Sequence, residues 1–236
     1  MKELQNDPMG QAILDYAKTN NKKNIIVTSE ICEDDIIPAS YLFRTYENMP
    51  KTERLALSHC SGRVLDVGAA AGMHAQYLQS KGLDVVAIDI SPKAVEHLNS
   101  MDVNAECIDF FDYEKKDYDT LLFLMNGLGI AGTLDNLSRT LIKAKSLLNE
   151  NGKILCDSSD IKYLYEDEEG GMWVDLNTAY YGNFKFQMTY EEEQTDWFEW
   201  LYVDFDNLET IATKVGLKVV KLFEEDNQYL AELTII

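Results

Sequence analysis

From residue 62 onward, short continuous apolar runs alternate with runs whose apolar residues recur at helical spacing. A series of strands and crossover helices in a parallel sheet requires that alternation. "RVLDVG", "LDVVAIDI", "NAECIDF", "YDTLLFLMNG" and "KILCDSSD" read as five strands, the fourth apolar enough to be buried on both faces. "AGMHAQYLQSKG" reads as a helix ending at Gly82, and Ser91 followed by Pro92 opens the next, a capping hydroxyl before a ring with a helix-ready φ. Thr133 opens a third helix with the stripe Leu134, Leu137, Leu141, Ala144 and Leu148, closed by Asn151 and Gly152. After a helix from about Asp206 to Val215, the tail reads as two strands around a polar turn, an antiparallel hairpin closing one sheet edge.

The expected fold class is therefore α/β, a doubly wound, mostly parallel sheet with a terminal antiparallel hairpin and a β-rich insertion. Residues 1–60 read as an N-terminal segment, helical in parts such as "PMGQAILDYAK" and "PKTERLALSHC", that covers the site. Residues 61–161 form a nucleoside-binding core. Residues 162–205, dense in aromatics and carboxylates and alternating like strands, form the insertion, a candidate substrate lid. Residues 206–236 complete the core.

Charge narrows the partners. The 236 residues carry 21 Lys and Arg against 41 Asp and Glu, a net charge of -20, which repels a polyphosphate backbone and argues against nucleic acid. Cys32, Cys60, Cys107 and Cys156 form no CxxC pair, so no metal site is indicated and reduced thiols in a cytoplasmic protein are expected. The stretch "TLLFLMNGLGIAG" is too short for a membrane span and "MKELQNDPMGQ" lacks an apolar signal core, so no membrane association is expected.

"VLDVGAAAGMHA" carries the site. In an open parallel sheet ligands bind where strands end and helices begin. Gly68 permits a tight turn there, and Gly72 lets the helix start pack closely. Asp89 follows Gly68 by 21 residues at the end of the next strand, where a carboxylate can accept both hydroxyls of a ribose. A GxGxxG fingerprint would need glycine at positions 70 and 73, which hold Ala70 and Met73, so a pyrophosphate is disfavoured. Asp66 near the turn suits an ammonium or sulfonium instead.

These residues resemble the class I S-adenosylmethionine-dependent methyltransferases, which have a Rossmann-like fold. The family's acid followed by alternating glycines maps onto Asp66, Gly68, Ala70 and Gly72, with Ala70 in place of the middle glycine. The resemblance implies S-adenosylmethionine as cofactor, Asp89 as the ribose acid, Ile90 as an apolar contact of the adenine, and Asp109 with Phe110 at the adenine edge. It covers residues 62–160, and the terminal hairpin matches the family's reversed last strand.

The implied reaction is methyl transfer to a small-molecule acceptor, which asks for alignment more than for acid-base groups. Asn126 stands where amine-specific members carry asparagine followed by two prolines, but Gly127 and Leu128 follow it here, so that pocket is not supported. Asn126 is a candidate cofactor contact. Arg44 is a candidate partner of the cofactor carboxylate at the substrate end, and Trp173, Tyr180 and Tyr181 are candidates for a substrate wall; a homodimer contact is the alternative use of those aromatics. His74 shares a helical face with Ala71, Ala75 and Leu78 and reads as packed. The competing readings are an NAD-dependent oxidoreductase and a non-catalytic cofactor-binding scaffold.

Overall fold

The computed structural model describes residues 6–165 and 180–236. Strands β3 (Arg63–Val67), β4 (Asp84–Asp89), β5 (Asn104–Cys107), β6 (Tyr118–Phe123), β7 (Leu148–Ser159), β11 (Leu217–Glu225) and β12 (Gln228–Ile235) form one sheet in the order β5-β4-β3-β6-β7-β12-β11. The first five are parallel; β12 runs antiparallel between β7 and β11. The tail is thus a hairpin, and its last strand inserts beside β7 instead of lying at the rim. Strand order reverses at β3, which has β4 on one side and β6 on the other.

The two-residue period of each strand sorts its side chains onto two helical layers. Leu65, Val67, Val86 and Ile88 pack with Leu137, Leu141 and Ala144 of α5 (Leu134–Leu147) and Leu208 and Ala212 of α6 (Phe205–Lys214). Val64, Val85 and Ala87 pack on the other face with Ala56 and Leu57 of α2 (Lys51–His59), Ala75 and Leu78 of α3 (Met73–Ser80), and Leu98 of α4 (Pro92–Ser100). Ser91 caps α4 as expected, its Oγ accepting the Ala94 N–H at 2.9 Å.

One boundary differs from the sequence reading. Helix α5 stops at Leu147, and Leu148 is already extended at the start of β7. Asn151 and Gly152 therefore do not close the helix. A Cβ on Gly152 would fall 2.7 Å from the Tyr118 carbonyl oxygen, so the glycine permits close approach of β7 to β6. The opposite end of α5 is capped from a distance: Asn183 Oδ1 accepts the Leu134 N–H at 2.8 Å.

The N-terminal segment is helical only in parts, α1 (Pro8–Thr19) and α2, with two strands between them, β1 (Asn24–Ser29) and β2 (Asp35–Pro38). These pair with the insertion. Strands β8 (Asn183–Tyr190), β9 (Glu193–Gln194) and β10 (Phe198–Leu201) join β1 and β2 in an antiparallel sheet of order β10-β8-β1-β2, with β9 beside β8. Ile25, Val27 and Tyr190 of this small sheet bury against Ala12 and Ile13 of α1 and Ala94 of α4. That packing sets the small sheet over the carboxyl ends of β3 and β4.

Candidate active site

A cavity of about 840 Å³ lies between the two sheets. Val67, Gly68 and Ala70 after β3, Ile88, Asp89, Ile90 and Ser91 after β4, and Ile108 to Phe111 after β5 form its floor. Met188 and residues 195–200 form its roof, with Asn6 to Met9 at the start of α1 and Ile130 on its sides.

The floor is built from backbone amides turned onto one carboxylate. Gly68 and Ala69 donate their N–H groups to the Ile88 carbonyl at 2.9 and 3.2 Å, which folds the turn back over β4. Ala70 N–H then reaches Asp89 Oδ2 at 2.9 Å, and Ser91 N–H reaches Asp89 Oδ1 at 2.8 Å. Burial raises the Asp89 carboxyl above its ordinary value, with the backbone amides of Ser91, Ala70 and Ile90 opposing the rise and the Asp7 charge adding to it. Asp7 and Ser91 in turn tie two helix starts together. Ser91 Oγ donates to Asp7 Oδ2 at 2.7 Å, while Asp7 Oδ1 accepts the Gly10 N–H at 2.9 Å.

The turn residues have separate jobs. Gly68 has φ +73°, and a Cβ there would meet no atom within 4 Å, because it would project into open space. Gly72 has φ +79°, and its Cβ would fall 2.2 Å from Leu98 Cδ2, so it lets α3 pack on α4. Ala70, at φ +47°, holds a left-handed conformation that costs a residue with a Cβ about 1–2 kcal/mol. The position is glycine-like in geometry although alanine fills it.

Among the site candidates, Gly68, Ala70, Asp89, Ile90, Asp109 and Phe110 come together in the cavity wall. Asp109 is also engaged locally, its Oδ1 accepting the Phe111 N–H at 2.8 Å in the turn after β5. Asp66 lies at the end of β3 but does not line the cavity. It is 2% exposed with Oδ2 lacking a hydrogen-bond partner, and burial pushes its carboxyl up to about 6. Asn126, at φ +59°, also stands behind the wall: its Nδ2 donates to the Leu201 carbonyl at 3.1 Å and its Oδ1 accepts from Ser158 Oγ at 2.8 Å.

Of the substrate-end candidates, Arg44, Tyr180 and Tyr181 lie elsewhere. Arg44 is buried against Glu53 and over the Tyr41 ring instead of facing the cavity. Tyr180 donates to Asp204 and Tyr181 to Asp160, hydroxyls held by carboxylates at the start of α6 and the end of β7. Trp173 lies outside the described residues. The aromatic wall that sequence reasoning placed at these positions is formed, among the described residues, by Trp197, Phe198 and Trp200. Their signal was the same aromatic and acidic density, twenty residues further along. Trp200 packs closely on the turn after β6: a Cβ on Gly129 would fall 2.1 Å from its Nε1.

The wall's charge is one-sided. Its ionisable side chains are Asp7, Asp89, Asp109, Asp196 and Glu199, and among the described residues no Lys, Arg or His lines it. No described group of His, Cys, Asp and Glu is placed to hold a metal ion, and no described helix is long and apolar enough to cross a membrane.

Comparison with known proteins gives this geometry a family. A search of curated proteins finds no match. Among solved structures, a SAM-dependent methyltransferase from Bacteroides fragilis, crystallised with S-adenosyl-L-homocysteine, is 42% identical, with TM-score 0.92, covering 98% of this chain and 96% of that one. The CcbJ methyltransferase from Streptomyces caelestis shares the fold at 15% identity and TM-score 0.61, over 80% of this chain and 94% of its own. A S-adenosylmethionine-dependent methyltransferase from Clostridium acetobutylicum does so at 11% identity and TM-score 0.56, over 80% and 93%. The methyltransferase domain family matches residues 40–222, which include the floor, the switch point and the roof. This chain belongs to that family and is a S-adenosylmethionine-dependent methyltransferase.

Proposed function

We propose that the cavity holds S-adenosylmethionine against the ends of β3 and β4 and a small-molecule methyl acceptor beneath the small sheet. The observation that carries this reading is the junction of Gly68 and Asp89 in one wall. Gly68 leaves open the volume a Cβ would fill. Each Asp89 oxygen accepts one amide, and an ionised carboxylate has about four acceptor sites, so capacity remains for two ribose hydroxyls. The lining fits a cationic, phosphate-free nucleoside, since its ionisable side chains are all carboxylates among the described residues. A dinucleotide would find no cation for its pyrophosphate among the described wall residues.

A bound cofactor would supply an activated methyl group for transfer to a nucleophilic acceptor. The chain's own part is positional. Ile90, Ile108 and Phe110 give the floor apolar contact area, Asp89 fixes the sugar, and the roof excludes water from the reacting groups. Asp66, Gly72 and Asn126 act from behind the wall by holding the turn and the end of β10. The four cysteines are free thiols, which supports a reducing, cytoplasmic setting.

Titration calorimetry with S-adenosylhomocysteine tests this reading. One site per chain is expected, with Asp89→Ala weakening it by about tenfold or more through two lost hydroxyl contacts. Absence of binding by the wild-type chain would overturn the assignment of the cavity.

A further inference from the structure

We infer that Asp7, at the start of α1, is a positioning residue of the cofactor site, which acts through Ser91 to keep the Asp89 carboxylate aimed and open for the ribose. This rests on the reading given above, in which Asp89 takes the sugar, and deepens it.

Asp7, Ser91 and Asp89 share one stretch of cavity wall although they come from three places, the cap of α1, the cap of α4 and the end of β4. Capping α1 needs only one carboxylate oxygen, and Asp7 Oδ1 does that work by accepting the Gly10 N–H at 2.9 Å. The second oxygen is turned toward the site. Asp7 Oδ2 accepts the Ser91 hydroxyl proton at 2.7 Å, and Ser91 passes the constraint on, its N–H holding Asp89 Oδ1 at 2.8 Å. Asp7 and Ser91 are both buried, so the link is shielded from water.

A serine hydroxyl has a single proton to donate. Held by Asp7, that proton leaves the remaining acceptor sites of Asp89 to the two ribose hydroxyls. Without a carboxylate at position 7 it would turn to Asp89, the nearest carboxylate along the chain, and compete with the sugar. A grip on a ligand depends in this way on the groups that orient it.

Gly10 makes room for the link. A Cβ there would fall 2.3 Å from both Asp7 Oδ2 and Ser91 Oγ, so the hydrogen bond occupies the space of a side chain. Asp7 is also anchored from the roof: its N–H donates to Glu193 Oε2 at 3.0 Å, while Glu193 Oε1 accepts from Lys93 of α4 at 2.6 Å. The matched family residues begin at 40, so Asp7 and Gly10 act on the ribose acid from outside the family domain.

The test uses the full chain and two probes that differ only in the sugar, adenosine and a dideoxyadenosine lacking both ribose hydroxyls. Each is measured by displacement of S-adenosylhomocysteine in titration calorimetry at neutral pH. The wild-type chain is expected to prefer adenosine by about tenfold or more. In Asp7→Ala that ratio should fall to about threefold or less. Gly10→Ala is the second variant, since alanine suits a helix better than glycine and the added methyl parts Asp7 from Ser91 without removing either. It should lower the ratio in the same way. A purely structural cap would weaken both nucleosides by one factor, and a wild-type ratio in either folded variant would overturn the inference. Failure of the underlying reading looks different: the wild-type chain then binds both nucleosides alike, or does not bind S-adenosylhomocysteine.

Discussion

Glu53 Oε2 lies 2.6 Å from His74 Nε2, and the other oxygen of the same carboxylate pairs with the Arg44 guanidinium. All three side chains are at most 12% exposed. Burial alone would raise the Glu53 carboxyl, but the hydrogen bonds and charges of His74 and Arg44 outweigh it and hold it below its ordinary value. Its contribution to stability is thus present above the unfolded carboxyl's range and fades as pH falls through the lower folded value. Glu53→Gln is expected to cost about 3–5 kcal/mol in urea unfolding at pH 7, since it strands a buried guanidinium whose Nε already lacks a partner. Arg44→Met with Glu53→Leu should recover much of that loss.

Asp157 has the opposite sign. Burial pushes its carboxyl up to about 7, opposed by the Asn126 N–H at 3.0 Å, as burial pushes Asp66 up to about 6. A carboxyl raised in the folded state binds its proton more tightly there than in the unfolded chain. Its contribution is therefore full below about pH 4 and is lost as pH rises through the folded values. The free chain should lose stability between pH 5 and pH 8. Asp157→Asn should reduce that loss, by up to about 3 kcal/mol. Equal pH slopes for the two proteins would show that Asp157 is ionised throughout.

Gly68→Ala and Gly72→Ala should fail differently. Both residues have positive φ, so each substitution carries about 1–2 kcal/mol of backbone cost. At Gly72 the added methyl also strikes Leu98, for a total near 3 kcal/mol, with cofactor affinity retained in the folded fraction. At Gly68 the methyl enters open cavity, and S-adenosylhomocysteine affinity should fall about tenfold or more while stability falls only by the backbone cost. Parallel denaturation and calorimetry separate the two.

Asn126→Ala removes the link from the end of β6 to the Leu201 carbonyl and to Ser158 Oγ, and places a Cβ residue without a polar side chain at φ +59°. A loss of about 2–3 kcal/mol is expected, with a shifted emission from Trp200 on the strand that Asn126 holds. Cofactor affinity should stay within about twofold. A large drop in S-adenosylhomocysteine affinity would instead make Asn126 a direct contact.

The parallel core was legible because each of its strands and helices carries its own period, and the period alone chooses between them. The Gly68 turn and Asp89 were legible because local chain geometry limits what can occupy them. Pairing between distant segments has no such local mark. "NIIVTS" and "DIIP" are β-branched runs whose partner lies in residues 183–190, so the small sheet stayed hidden behind two flanking helices that were read. Asn151–Gly152 imitated a helix end because close strand approach and capping both favour glycine. In the insertion, composition marked a wall but could not choose its members. Tyr180 and Tyr181 turn to Asp204 and Asp160, partners for their hydroxyls, while Trp197 and Trp200 line the cavity.

The pairing of Ile26 with Thr189 has a consequence for how the protein is made. On the ribosome, β1 and β2 emerge before any strand of the large sheet, yet their hydrogen-bonding edge has no partner until translation has passed Tyr190. The nascent chain must carry that unmatched edge through the synthesis of five strands and four helices, which makes closure of the roof a late, long-loop event.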